Sequence, residues 1–223
     1  MNKTKLNDWQ EVRDWVDSSG LRIPGSYLDR VNSRNYPVDA FSLGQLASKA
    51  WLMQHLYHVV PLKSNAVVGL FGCWIGALVP FLHNAFTIKR IYGFDLDSES
   101  VALSERFNEQ HVQNSWKYKG VVADVSMMQT CDMEFETSGE LINVKPDWVI
   151  NTSCEHMGDQ WFHSADSEQL IIMQSNNAPN FEGHINTCID IENFKAKYPM
   201  SRTHFVGELI TPAYTRYMQI GYK

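Results

Sequence analysis

Short apolar runs alternate with amphipathic or polar stretches along most of this chain. The run at residues 65–71 is apolar at nearly every position, which is typical of a strand buried on both faces of a parallel sheet. Together the runs indicate an α/β protein. Strands are predicted at residues 65–71, 90–94, 118–123, 147–150, 169–174, 203–209 and 214–221.

Apolar residues at helical spacing predict helices before and between these strands. Leu6, Trp9, Val12 and Val16 share one face of a first helix that Asn7 or Asp8 would cap. Further helices are predicted at residues 41–59 with Ser42 as the cap, at residues 77–86 with Pro80 near the first turn, and after Asp97 or Ser98. Residues 127–140 are acidic and poorly periodic, and predict a short helix and loop.

The length of 223 residues predicts a single domain, residues 1–223, in which residues 1–60 form an N-terminal helical lid or extension. Residues 18–40 are rich in Ser, Gly, Pro and Asn and indicate a long irregular connection. We interpret residues 1–60 as a lid over the carboxyl ends of the strands, where ligands enter an open α/β sheet. A packing helix followed by an ordered loop explains the same pattern.

Glycines crowd the turn after the first predicted strand. Gly69, Gly72 and Gly76 would let the backbone approach a ligand without a Cβ in the way. Asp95 directly follows the second strand, where a carboxylate can accept hydrogen bonds from both hydroxyls of a ribose. This order of strand, glycine turn, helix, strand and acid predicts a nucleotide-type binding unit.

Several motifs that would specify the ligand are absent from the sequence. The turn contains no G-x-G-x-x-G, so a dinucleotide fingerprint is missing, and there is no G-x-x-x-x-G-K-[ST] phosphate loop. No tyrosine is followed four residues later by lysine, the pair that short-chain dehydrogenases use for proton transfer. These absences argue against a dehydrogenase and against nucleotide triphosphate hydrolysis.

The net charge and the cysteines argue against further classes of protein. A net charge of -6 argues against a broad nucleic-acid surface, because non-specific nucleic-acid affinity depends on clustered Lys and Arg. The four cysteines contain no C-x-x-C, which favours reduced thiols in a cytoplasmic protein. The first ten residues lack the apolar core of a signal peptide, and no membrane partner is expected.

From residue 65 to residue 223 the chain resembles the class I S-adenosylmethionine-dependent methyltransferases. Gly72-Cys73-Trp74-Ile75-Gly76 occupies the place of the family's G-x-G-x-G turn, and Asp95 that of the acid ending its second strand. The resemblance implies a Rossmann-like three-layer sandwich with a mostly parallel seven-stranded sheet and a C-terminal antiparallel strand pair. It also implies S-adenosylmethionine as the cofactor.

The resemblance assigns cofactor contacts to the turn and to the strand ends. Asp95 would hold the ribose, and Asp124 would lie near the adenine amino group. The chain departs from the family at Leu70, where an acid is usual, and at Trp74, which replaces the middle glycine. The residues implied to bind the cofactor are Gly69, Gly72, Cys73, Trp74, Gly76, Asp95, Leu96, Asp124, Val125 and Asn151.

The fourth predicted strand runs into residues 151–156, where the family places residues that face the methyl group. His156 is the candidate general base, because its unperturbed pKa of about 6.5 lies near neutral pH. Glu155 would orient His156 or bind an amine, and Asn151 offers an amide donor and a carbonyl acceptor to a substrate. The alternative for His156 is a hydrogen-bonded histidine at a strand end. Cys154 is interpreted as a small buried residue rather than a nucleophile.

A metal site is not predicted. Cys154, Glu155, His156 and His163 are close in sequence, but on an extended chain Cys154 and His156 would converge while Glu155 would point away. Neither H-x-x-x-H nor H-E-x-x-H is present. His184, after the fifth strand, is a second candidate for the mouth of the site, although a solvated loop histidine is the favoured interpretation.

These observations predict an S-adenosylmethionine-dependent methyltransferase that acts on a small-molecule acceptor, with Asn151, Glu155 and His156 as catalytic residues. The competing hypotheses are a regulatory protein that binds the cofactor without transfer, and an enzyme that cleaves the cofactor or moves its aminopropyl or carboxypropyl group. A dehydrogenase with an unusual fingerprint is a third alternative.

Overall fold

The structure, a computed structural model, describes residues 2–21, 36–62, 64–113, 116–137 and 139–223. Within these ranges a large mixed sheet and a separate hairpin are flanked by helices. The strands are β1 (Asn2–Lys5), β2 (Ala66–Phe71), β3 (Ile88–Asp95), β4 (Tyr118–Val122), β5 (Met133–Thr137), β6 (Glu140–Val144), β7 (Trp148–Asn151), β8 (Leu170–Asn176), β9 (Arg202–Ile210) and β10 (Thr215–Tyr222). The helices are α1 (Trp9–Ser18), α2 (Leu43–Val59), α3 (Val79–Ala85), α4 (Ser98–Phe107), α5 (Glu109–Gln113), α6 (Gln160–His163) and α7 (Ile191–Lys197).

The described strands of the large sheet follow the order β1-β9-β10-β8-β7-β2-β3-β4. β10 runs antiparallel to β8 and β9, and the other described pairs of this sheet are parallel. The seven predicted strands are confirmed as β2, β3, β4, β7, β8, β9 and β10. β1 adds an eighth strand at the edge, parallel to β9, which its short polar sequence Asn-Lys-Thr-Lys did not indicate.

Successive residues of the central strands point to opposite faces of the sheet, so each face has its own core. Leu70 of β2 belongs to one core, which includes Trp51 of α2 and packs α1, α2 and α3 against the sheet. Phe71, the next residue, belongs to the other core with Trp161 of α6 and Phe194 of α7. The predicted three-layer, Rossmann-like architecture is therefore confirmed.

The predicted helix starts are also found. Asp8 accepts hydrogen bonds from the N–H groups of Gln10 and Glu11 and caps α1. Ser42 accepts one from Gln45 at the start of α2, and Asp97 caps α4 through Glu99 and Ser100. Local side-chain hydrogen bonds thus determine the residue at which each helix begins, which apolar spacing alone predicts only to within a residue or two.

The short helix and loop expected at residues 127–140 is wrong for much of that segment. β5 and β6 instead form an antiparallel hairpin. Met133, Phe135 and Thr137 are buried and alternate with the exposed Glu134 and Glu136, which is the period of a strand. The ring of Phe135 packs 5.2 Å from Tyr92 and 5.1 Å from Phe94, centroid to centroid, so the hairpin covers β3.

The N-terminal segment contributes both to the sheet packing and to a cavity. Trp51 of α2 packs edge-on against Phe205 of β9 with ring centroids 5.8 Å apart, whereas the first turn of α2 borders the cavity described below. Residues 22–35 of the expected irregular connection lie outside the described residues, so the lid stays a prediction. Among the described helices, none combines the length and the apolar character that crossing a membrane requires.

Candidate functional site

A cavity of about 1100 Å³ opens at the carboxyl ends of β2, β3, β4 and β7. Nine of the twelve predicted site residues line it. Gly69, Gly76 and Asn151 lie outside its wall as the described residues define it. The nine are Gly72, Cys73, Trp74, Asp95, Leu96, Asp124, Val125, Glu155 and His156.

The turn after β2 has a left-handed backbone at three positions. Gly72, Trp74 and Gly76 have φ values of 59°, 47° and 67°. Trp74 therefore occupies a conformation that favours glycine, at a cost on the order of 1–3 kcal/mol. Its N–H donates a 2.8 Å hydrogen bond to Oδ2 of Asp95, which stabilises this backbone from the neighbouring strand.

The glycines of this region have different roles. A Cβ on Gly72 would lie 3.0 Å from Cβ of Ser153, so this glycine permits close approach of the loop that follows β7. A Cβ on Gly76 would lie 2.6 Å from Nδ2 of Asn108, which places Gly76 against the end of α4 instead of the cavity. Gly69 lies within β2 and faces Pro146. Gly69 and Gly76 therefore serve packing.

Asp95 ends β3 at the edge of the cavity, as the sequence predicts. Oδ1 accepts a 3.1 Å hydrogen bond from the Asp97 N–H, and Oδ2 accepts the one from Trp74. Each carboxylate oxygen has two lone pairs, so both can still accept a hydrogen bond from a ligand. The next residue, Leu96, is 72% exposed.

Asp124 stands one strand further along the same edge. Its Oδ1 accepts hydrogen bonds from the N–H and the hydroxyl of Ser126, and this arrangement caps a single 3-10 turn at Val125–Met127. Val125 lines the cavity and is otherwise buried. The indole of Trp74 packs against a small cluster that contains Tyr36 and Phe107.

The chain leaves β7 through a 3-10 turn, Cys154–His156, which brings the side chains of Glu155 and His156 to the cavity wall. The Glu155 side chain is only 3% exposed. Oε1 accepts a 2.6 Å hydrogen bond from Nδ2 of Asn176 and lies 3.5 Å from Nη2 of Arg216. Nδ1 of His156 lies 3.0 Å from the carbonyl oxygen of Gly183, and its ring stands edge-on to His184 with centroids 4.6 Å apart.

The expected convergence of Cys154 with His156, with Glu155 pointing away, is wrong. Because the segment forms a 3-10 turn instead of an extended chain, Glu155 joins His156, and one potential ligand atom each of Glu155, His156 and His184 lies within 4.8 Å of the others. Cys154 is buried on the far side, where burial raises the pKa of its thiol well above the ordinary value. A thiolate nucleophile is therefore not available at this position.

Asn151, the last residue of β7, is fully buried. Its Oδ1 accepts a 2.9 Å hydrogen bond from the Ser153 N–H, and its Nδ2 donates to Sδ of Met157 at 3.2 Å. These contacts shape the loop that carries Glu155 and His156. Asn151 is thus placed to position that loop rather than to contact a substrate.

Lys49, Asn176 and Arg216 are among the polar residues of the cavity wall that sequence reasoning missed. Arg216 lies at the start of β10, opposite Asn176 at the end of β8. Because β10 is antiparallel, its beginning reaches the same edge as the carboxyl ends of the parallel strands. Arg216 is the one charged residue of β10, and that was the available signal for it.

Lys49 projects from α2, and burial lowers the pKa of its ammonium to about 7, with the charge of Arg216 as a second cause and Asp39 in partial opposition. Its Nζ donates a 2.9 Å hydrogen bond to Oε1 of Gln45. A lysine with such a pKa exchanges its proton near neutral pH. The sequence of α2 offered no sign of this, since the shift depends on tertiary burial.

The fold is that of the class I S-adenosylmethionine-dependent methyltransferases. It has their strand order with β10 as the single reversed strand, and solved methyltransferase structures share it. The chain is similar to magnesium protoporphyrin IX methyltransferase from Synechocystis PCC 6803 with bound S-adenosylmethionine (15% identity, 98% of each chain covered, TM-score 0.55). It is also similar to geranyl diphosphate methyltransferase in complex with S-adenosylmethionine (11% identity, 81% of this chain and 86% of that chain, TM-score 0.57).

A variant of MtNAS in complex with S-adenosylmethionine is similar too (10% identity, 96% of this chain and 77% of that chain, TM-score 0.56). No protein-family model matches the sequence, and no curated protein sequence matches it. The likeness at 10–15% identity therefore concerns the fold.

Proposed function

We propose that this protein is an S-adenosylmethionine-dependent methyltransferase acting on a small-molecule acceptor. The observation that carries the proposal is the link between Asp95 and the glycine turn. One carboxylate oxygen accepts from the Trp74 N–H, and the pair lies at the edge of the cavity in a methyltransferase fold. The acid and the turn are thus one pre-formed unit at the ligand edge of the sheet.

The residues of the cavity fit S-adenosylmethionine. Asp95 would accept hydrogen bonds from the ribose hydroxyls, and Asp124 with Val125 would border the adenine. Gly72 and Cys73, which line the cavity, would approach the amino-acid end through their backbone. The volume of about 1100 Å³ exceeds the ~300–1,000 Å³ of typical ligand pockets, which leaves room for a second molecule.

S-adenosylmethionine supplies a methyl group on a sulfonium, which is already a good leaving group. The protein has to align an acceptor with that methyl group and, where needed, take a proton from the acceptor. Glu155 and His156 line the same cavity and would lie at its reacting end. Lys49, with its pKa lowered to about 7, is a further group in the cavity that can take a proton. Asn176 and Arg216 fix the Glu155 carboxylate, and Asn151 shapes the loop.

A small acceptor suits the site better than a macromolecule. The cavity is lined on one side by the first turn of α2 and on the other by the loop that follows β8. The net charge of -6 offers no broad attraction to nucleic acid. Two structurally similar proteins are named for small molecules, geranyl diphosphate and magnesium protoporphyrin IX.

The proposal is tested by incubating the protein with methyl-labelled S-adenosylmethionine and a panel of small hydroxyl, thiol and amine compounds. We expect acceptor-dependent formation of S-adenosylhomocysteine and of a labelled product. Asp95→Asn should abolish both. Asp97→Asn is the matched control, because Asp97 caps α4 outside the cavity wall and asparagine is an equally good cap.

The alternatives give different products. Methylthioadenosine in place of S-adenosylhomocysteine would indicate transfer of another group or cleavage of the cofactor. Tight binding without turnover on any acceptor of the panel would favour a regulatory protein.

A further inference from the structure

Two histidines and one glutamate converge in the wall of the cavity. Glu155 and His156 come from the 3-10 turn after β7, and His184 comes from the loop after β8. One potential ligand atom of each lies within 4.8 Å of the other two. Two imidazoles and a carboxylate are the donor set of many catalytic zinc sites.

Both imidazoles are held in the same tautomer. Nδ1 of His156 lies 3.0 Å from the carbonyl oxygen of Gly183, and Nδ1 of His184 lies 2.7 Å from that of Ala178. A carbonyl oxygen can only accept, so each Nδ1 carries a hydrogen, and in the neutral ring Nε2 then has the lone pair that a metal ion requires. Histidine ligands of metals typically show this second hydrogen bond, which fixes the ring and raises its basicity.

Glu155 presents one free oxygen. Oε1 is committed to Asn176 and faces Arg216, whereas Oε2 is buried and has no hydrogen-bond partner among the described residues. Leaving a buried carboxylate oxygen unpaired costs on the order of 1–3 kcal/mol or more. A cation bound at Oε2 would remove that cost, while Asn176 and Arg216 hold the carboxylate in place.

The backbone joins the two ligand-bearing segments. The N–H groups of Ile185 and Asn186 both donate to the carbonyl oxygen of Glu155 at 2.9 Å. Gly183 has a φ of 76°, and a Cβ there would lie 3.2 Å from Nδ1 of His156. Glycine therefore permits the approach that brings its carbonyl to His156, and the loop is fixed beside the turn before any ion binds.

We propose that Glu155, His156 and His184 form a binding site for one divalent transition-metal ion of the zinc type. The ligands would be Oε2 of Glu155 and Nε2 of the two histidines. Bond lengths of about 2.0–2.2 Å imply ligand atoms about 3.4 Å apart, so small side-chain rotations would close the site. Three protein ligands leave one position open towards the cavity.

The open position suggests a role for the metal, which rests on the proposed methyltransferase function. A hydroxyl, thiol or amino group of the acceptor bound there would be polarised, so that its proton leaves more readily. Lys49, on the cavity wall, can receive such a proton. His156 would then act as a ligand instead of a general base.

The site is tested by calorimetric titration of the chelator-treated full chain with Zn²⁺, and with Co²⁺ to follow visible absorption. We expect one zinc ion per chain and a Co²⁺ spectrum typical of four or five ligands. His184→Ala should weaken zinc binding by about 100-fold or more, beyond the ~10–100-fold that losing an outer-shell partner costs. Glu155→Gln should weaken it as well.

His163→Ala is the matched control, because His163 is exposed on α6 and lies outside the cluster. It should bind zinc as the unaltered chain does. Absence of stoichiometric binding, or binding that His184→Ala leaves unchanged, would overturn the proposal. Titrating the same samples with S-adenosylmethionine separates the two proposals, since His184→Ala should retain that binding and Asp95→Asn should retain the zinc.

Discussion

Trp74 lies in a backbone conformation that favours glycine, at the position where the related fold usually has one. The φ of 47° explains why the related fold prefers glycine here, because a glycine adopts a left-handed backbone without strain. The chain offsets the strain through the hydrogen bond from the Trp74 N–H to Asp95 and through packing of the indole near Phe107. The substitution thus preserves the shape of the turn.

Replacing Trp74 by Gly and by Ala separates the backbone effect from the loss of the ring. Both variants lose the same indole packing, but alanine at this φ is strained and glycine is not. We expect Trp74→Ala to be less stable than Trp74→Gly by about 1 kcal/mol in denaturant unfolding. Equal stabilities would show that the left-handed conformation is not maintained in solution.

The four cysteines should differ in reactivity. Burial raises the pKa of Cys73 to about 12 and also raises those of Cys154 and Cys188, whereas Cys131 is partly exposed. With a thiol-specific reagent at neutral pH, we expect one fast-reacting thiol that Cys131→Ser removes. The other three should react after unfolding. Fast modification of Cys154 would instead support a role for Cys154 as a covalent nucleophile.

At the scale of elements, the sequence predicts what local interactions determine. The helix caps Asp8, Ser42 and Asp97 and the seven strands follow from side-chain chemistry within a few residues. β1 and the β5–β6 hairpin were missed, because their polar residues gain stability from pairing with distant strands or covering them. The extended chain predicted at residues 154–156 is a turn, whose Glu155 carbonyl accepts hydrogen bonds from the distant residues Ile185 and Asn186. Local sequence does not reveal such contacts, so the meeting of Glu155 with His184 was not predicted.

The contact between α2 and β8 offers a test at this scale. Ser48 donates a 2.5 Å hydrogen bond to Oε1 of Gln174, and Gln174 donates back to the Ser48 carbonyl at 3.2 Å, both in the core. Ser48→Ala leaves a buried amide oxygen unpaired, so we expect a loss of about 1–3 kcal/mol in the free energy of unfolding. Ser18→Ala, at the exposed end of α1, should change it by less than about 0.5 kcal/mol. Similar values for the two would contradict the packing of α2.

At the scale of the molecule, the cavity is assembled from distant parts of the chain. Lys49 from α2, Asp95 from β3 and Arg216 from β10 line it together. The sequence predicts the strand-end residues, because carboxyl ends of parallel strands meet at one edge. It does not predict Lys49 or Arg216, whose places depend on how α2 and the antiparallel strand pack.

Burial of Lys49 should make stability depend on pH. Its pKa is about 7 in the folded chain, against 10.5 for a lysine exposed to water, so between these values the unfolded chain binds more protons. The contribution of this group to stability therefore rises as pH increases through that window. Lys49→Met should lack this rise. It should be more stable than the original chain by about 1–2 kcal/mol below about pH 7, a value reduced for solvent screening because Lys49 is only partly buried. Lys5→Met, on the exposed edge strand, is the control. Denaturant unfolding at several pH values measures the free energy of unfolding of both variants. If it depends on pH in the same way for the two, the burial of Lys49 is contradicted.

The central claim, that the edge around Asp95 binds S-adenosylmethionine, is tested most directly by calorimetric titration of the full chain with S-adenosylmethionine, S-adenosylhomocysteine and NAD. We expect micromolar binding of the first two, loss of that binding in Asp95→Asn, retention in Asp97→Asn, and no binding of NAD. Binding of NAD alone, or binding of S-adenosylmethionine that Asp95→Asn leaves unchanged, would contradict the assignment of this site.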